Sequence, residues 1–101
     1  MHDKFLMVEV KRLVFRVHAI RRMFERNITA EEIRRVVENG EVIEEYPHDE
    51  PYPSFLVLGW IENAPLHVVV AKEGAANTGV IITVYRPDPE SWTEDFKRRR
   101  E

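Results

Sequence analysis

The sequence predicts an α+β domain: N-terminal helices packed on one face of an antiparallel sheet of about four strands, with a short C-terminal helix. Three observations lead there. Up to Asn39 the apolar residues recur mostly at helical spacing, and beyond Gly40 they come in short runs rich in β-branched and aromatic side chains. Turn chemistry at Asn39-Gly40, Glu62-Asn63 and Pro87-Asp88-Pro89 separates those runs. A cysteine-free chain of 101 residues holds a single domain, 1–101, large enough to bury a core without disulfides.

The elements follow in order. Leu6, Val10, Leu13 and Val17 have helical spacing, while Val8, Val10, Arg12, Val14 and Arg16 alternate as in a strand. A helical or mixed start is expected, with 13–17 open to an extended form. Val17, Ile20 and Phe24 share a narrow arc of a helix over 18–26, and the short gap after it implies a helix hairpin. Thr29 and Glu32 form a capping box for a helix over 30–39, Ile28 and Ile33 a hydrophobic staple, and Ile33, Val36 and Val37 its apolar stripe. Gly40 is expected to be the left-handed residue that ends it. Strands are expected at 41–46, 54–61, 66–72 and 80–86. Three prolines in PHDEPYP exclude a helix between the first two strands. Glu62 to Pro65 reads as a hairpin turn and EGAANTG as a flexible loop. Ser91 and Glu94 form a second capping box, predicting a tail helix from Ser91 to about Arg99 that Trp92 and Phe96 pack onto the core.

The net charge of −3 is unevenly spread: residues 1–40 hold nine Lys/Arg and six Asp/Glu (+3), 41–90 two and nine (−7), and 91–101 four and three (+1). A polyanion binder is usually basic overall, so any nucleic-acid contact must come from a local patch. The absence of glutamine beside abundant Glu and Arg leans toward a heat-adapted source. No apolar run spans a bilayer and no signal pattern opens the chain, so a soluble cytoplasmic protein is expected. There is no glycine-rich phosphate loop, no GxSxG and no HExxH, and the four histidines lack ligand spacing, so neither metal nor cofactor is expected.

Two constellations bear chemistry. On the first firm helix, His18, Arg22, Glu25 and Arg26 form a polar stripe set away from Ile20 and Phe24. Guanidinium forks grip phosphate and an imidazole exchanges a proton near neutral pH; the competing reading is a solvated face with Glu25 paired to Arg21 or Arg22. In the final hairpin, a register that sets His67 against Tyr85 sets Val69 against Thr83. His67, Thr83 and Tyr85 then share one surface. The competing reading there is a histidine satisfied by a neighbouring hydroxyl. Trp60 and Tyr52 are candidate stacking platforms, with rim packing as the alternative.

The string HAIRRMFERNITAEEIRRVVENGEVIEEYP, followed by YPSFLVLGW, PLHVVVA and ITVYRPDPESW with an Arg-rich end, resembles a family of small microbial proteins marked by the block HA-x-x-RM-x-E-R. The resemblance covers roughly 14–100. That family is similar to toxins of the RelE and MqsR type, small α+β ribonucleases that cleave RNA without metal and are silenced by an antitoxin. The resemblance implies a RelE-like architecture and a metal-independent endoribonuclease of a toxin–antitoxin pair. His18, Arg22, His67 and Tyr85 would be catalytic in such an enzyme, and Arg26, Thr83 and Arg86 substrate-binding. The alternative is a non-catalytic protein-binding module, an inactive toxin relative or a partner subunit. Expected partners are an antitoxin or a second copy, with RNA in the enzyme reading and no membrane. His18, Arg22 and Arg26 are expected to face one groove with His67 and Tyr85; because the run Phe55–Ile61 is long and apolar, the partner is expected to cover a sheet edge or the basic helix face, where an acidic segment would suit Arg21, Arg22 and Arg26.

Overall fold

The computed structural model describes residues 10–73 and 77–101. The readings of Leu6, Val8 and the centre of the EGAANTG loop lie outside them. Chain order is β1 (Arg12–Phe15), α1 (Val17–Arg26), α2 (Ala30–Asn39), β2 (Glu41–Tyr46), β3 (Ser54–Ile61), β4 (Ala64–Glu73) and β5 (Thr78–Tyr85). The strands form one five-stranded sheet of order β1-β5-β4-β3-β2. Strands β2 to β5 are the expected antiparallel meander. The sheet is nevertheless mixed, because β1 adds a parallel edge to β5, from Arg12 opposite Thr78 to Phe15 opposite Ile81.

Strand β1 settles the ambiguous start as extended. Leu13 and Phe15 turn inward against the core while Arg12, Val14 and Arg16 stay exposed, a period of two. Helix α1 follows at once and ends on Asn27, which takes the left-handed conformation at φ 58° that asparagine tolerates better than most residues. Helix α2 opens with the capping box in both directions, Glu32 N–H to Thr29 Oγ1 and Thr29 N–H to Glu32 Oε1, each 3.0 Å. The staple residues Ile28 and Ile33 are both buried.

Gly40 departs from its expected role. Its φ is −80°, not left-handed. Glycine is needed for space instead: a Cβ there would stand 2.5 Å from the Val36 carbonyl oxygen and 2.6 Å from that of Leu58. The β3–β4 turn is the two-residue kind that hairpins favour, with Glu62 and Asn63 both at positive φ.

Strand β3 lies inside the sheet between β4 and β2, so the run Phe55–Ile61 is no edge; burial on both faces explains its continuous apolar character. The helices cover one face. Ile33, Val36 and Val37 of α2 and Ala19 of α1 share a core with Val57, Leu66, Val68, Val70, Ile81 and Val84.

The tail forms no helix. It doubles back as a small hairpin: Thr93 N–H donates to the Arg98 carbonyl, Arg100 N–H to the Ser91 carbonyl, and Trp92 bridges Arg99. Local side chains outcompete the helix that Ser91 and Glu94 suggest. The Asp95 carboxylate accepts from the Thr93 hydroxyl at 2.7 Å and from the Lys97 amide at 3.1 Å, and Phe96 turns the chain at φ 59°.

Candidate functional site

The pleat decides where the hairpin residues go. Leu66 and Val68 belong to the helix-side core, so His67 between them points to the opposite face. The expected register holds there: His67 pairs with Tyr85 and Val69 with Thr83. Thr83 and Tyr85 are half-buried on that face, and Arg86 just beyond the strand is exposed.

His67 is fully buried beneath the tail. Nε2 lies 2.9 Å from the Phe96 carbonyl oxygen, which can only accept, so Nε2 carries the ring proton. Nδ1 then accepts from the Tyr85 hydroxyl at 3.2 Å. Trp92 and Tyr85 pack edge-on against the ring, with centroids 4.5 and 5.2 Å away. The Arg99 guanidinium caps Trp92 at 4.6 Å. Burial holds the His67 pKa below the ordinary 6.5; the Phe96 carbonyl opposes that shift and the Arg99 charge adds to it. The imidazole is therefore neutral at pH 7, and both nitrogens already have protein partners. A general base needs a free lone pair facing substrate, which this ring lacks. Its work is to clasp the tail to the sheet.

Two phenols of the sheet are also perturbed. Burial raises the Tyr85 pKa, so its hydroxyl remains a donor. The Tyr46 hydroxyl donates to Glu44 at 2.5 Å, and its pKa is raised by burial first and by that hydrogen bond second. A separate cleft of about 460 Å³ lies between the end of α2 and β3, with Arg35, Trp60 and Lys97 among its lining residues. Phe96 braces Trp60 edge-on at 5.9 Å, and Lys97 is held by Glu41 at 3.0 Å. Tyr52, the other candidate platform, hydrogen-bonds Glu73 at 3.1 Å.

His18, Arg22 and Arg26 lie on α1, on the helix side of the sheet. The two blocks are thus on opposite sides, and the expected shared groove is not formed. The apolar triplet Leu66, Val68 and Val70 carries the signal for this, since the face it defines must meet the helices. His18 and Arg26 are exposed, and Arg22 pairs with Glu25 at 2.8 Å. Among the described residues Arg16, Arg21 and Arg26 make no ion pair.

Sequence reasoning missed the direction of the α1 apolar arc. Ala19 is the one buried residue of α1, with Met23 packed beside it. Val17, Ile20 and Phe24 face solvent at 66, 41 and 85% exposure. Ile20, Phe24 and Asn27 border a shallow groove of about 220 Å³ floored by Met23 and Ile28.

No group of three or more metal-binding side chains occurs among the described residues, and no helix among them is long and apolar enough to cross a membrane. Neither a curated protein nor a solved structure matches the chain. A family model described as Domain of unknown function (DUF4258) matches residues 15–86, which run from the end of β1 through β5 and take in His18, Arg22, His67 and Tyr85 while leaving out the tail hairpin. Spanning well over half of the sequence, that match places the chain in the DUF4258 family.

Proposed function

We propose that the protein is a non-catalytic binding module whose working surface is the outward face of α1, as an inactive toxin relative or a partner subunit of a toxin–antitoxin pair. The observation that carries this is Phe24, 85% exposed at the centre of an apolar arc on an otherwise arginine-rich helix. Fully burying a side chain of this size is worth about 1.5–3 kcal/mol. Three of them supply at most about 4.5–9 kcal/mol against the roughly 4–15 kcal/mol that association costs, which leaves little surplus, so a stable complex draws on the arginines as well. The test is a photo-crosslinking residue at position 24 of the full chain in cells, with position 62 as the exposed control. A discrete adduct from position 24 alone, identified by mass spectrometry, is expected. Its absence, or the same adduct from position 62, removes the reading.

The second reading is the metal-independent endoribonuclease similar to RelE- and MqsR-type toxins. It is favoured by His18 lying exposed in one stripe with Arg22 and Arg26, four residues apart in turn. In this reading His18 takes the proton of a ribose 2′-hydroxyl, whose oxygen attacks the adjacent phosphorus while the 5′-oxygen leaves, and the arginines hold the phosphate. Labelled RNA incubated with purified protein tests it. His18→Ala is expected to slow cleavage by about 100-fold or more, and RNA left intact by the native chain rejects it.

A further inference from the structure

We infer that the α1 face takes an acidic amphipathic segment of a different protein, its apolar side on Val17, Ile20 and Phe24 and its carboxylates on Arg16 and Arg21. The inference rests on the partner-binding reading and names the partner's chemistry. Residues of an α-helix turn by about 100° each, which puts Arg21 beside the apolar arc, while Arg16, the extended and exposed N-cap residue, stands at the start of the helix just before Val17. Neither has an ion pair among the described residues, so both forks are available. The segment Arg16–Arg26 holds four arginines and one glutamate, a net +3, and that glutamate is already held by Arg22.

Other occupants fit less well. Two copies joined through the same face would set +3 against +3, the one carboxylate of each already held by Arg22, and like charges at contact distance oppose docking. RNA suits the arginines, but single strands gain their affinity by stacking bases on aromatic faces. Two of the three arc residues are aliphatic, and aliphatic chains offer no such face. An acidic segment with apolar residues at helical spacing meets both halves of the surface at once: anchors for the groove beside Met23 and Ile28, and carboxylates for bidentate pairing with the flanking guanidiniums.

The test is selection of displayed random peptides, several helical turns long, on the full chain, with counter-selection on Phe24→Ser. Enriched peptides are expected to carry net negative charge and apolar residues at helical spacing. Their affinity should fall at least about tenfold in Arg21→Glu and in Arg16→Glu, and should fall further as salt rises. Far-ultraviolet circular dichroism checks that all three variants fold. Enriched peptides with no acidic bias, or binding indifferent to Arg16 and Arg21, overturn the inference and leave the binding module standing. A dimer in sedimentation that Phe24→Ser abolishes, or tight binding of poly(U) through the same arginines without peptide binding, overturns it in favour of a second copy or of RNA. No enrichment, together with no adduct at position 24, removes both.

Discussion

Replacing His67 by phenylalanine keeps a ring between Tyr85 and Trp92 but leaves the Tyr85 hydroxyl and the Phe96 carbonyl without their partner. Each unmatched buried group costs about 1–3 kcal/mol, so His67→Phe is expected to lower the urea midpoint clearly. The clasp also has a pH sign. Because burial lowers the folded pKa, the unfolded chain binds the proton more readily. The contribution of His67 is full above the ordinary value of 6.5 and is lost as pH falls below it, through the lowered folded value. Thermal melts should show the gap between wild type and His67→Phe closing on acidification; a gap independent of pH contradicts the assignment. Gly59 makes a second residue-scale test. A Cβ there would lie 2.6 Å from Val36 Cγ2, so Gly59→Ala is expected to cost about 1–3 kcal/mol. Val36→Ala in the same chain makes room for that methyl, and the double variant should cost less than the sum of its parts.

At the scale of elements, α1 and α2 respond differently to the loss of an apolar side chain. Phe24→Ser on the solvent side of α1 should change stability by less than about 0.5 kcal/mol, whereas Ile33→Ala in α2 should cost about 2–5 kcal/mol. Denaturant titration of the two variants checks this. The contrast marks what was legible. The capping box of α2, its staple, the four antiparallel strands and the pairing of His67 with Tyr85 rest on local chemistry, and each is in place. Strand β1 and the inward side of α1 depend on β5, which is distant in sequence. Periodicity names an apolar arc without saying whether a sheet or the solvent meets it. The tail was misread for another reason: Ser91 and Glu94 have capping-box spacing, but Thr93 and Asp95 between them spend their side chains on a tight turn. The site was half legible, since the sequence identifies His67 and Tyr85 as partners but not that the tail seals them in.

For the whole molecule, the tail is a lid on the sheet face that the helices leave bare. It brings the buried Trp92, the Phe96 carbonyl and the Lys97–Glu41 ion pair to that face. A chain ending at Arg86, where the family match also stops, should keep its helical signal but melt at a lower temperature. Amides of β4 around His67 should exchange faster with solvent. Equal melting temperatures for the two chains would show that the tail contributes nothing to the sheet.

The parallel pairing of β1 with β5 sets the timetable of biosynthesis. Helix α1 ends at Arg26 and packs on β5, which ends at Tyr85, 59 residues later (85 minus 26). At about 5–20 residues per second, a ribosome needs roughly 3–12 s to make that stretch. Throughout that time the nascent chain holds α1 with neither side covered, its core side awaiting β5 and its outward arc bare. Of the two described helices, the one made first waits longest for the strand it packs on.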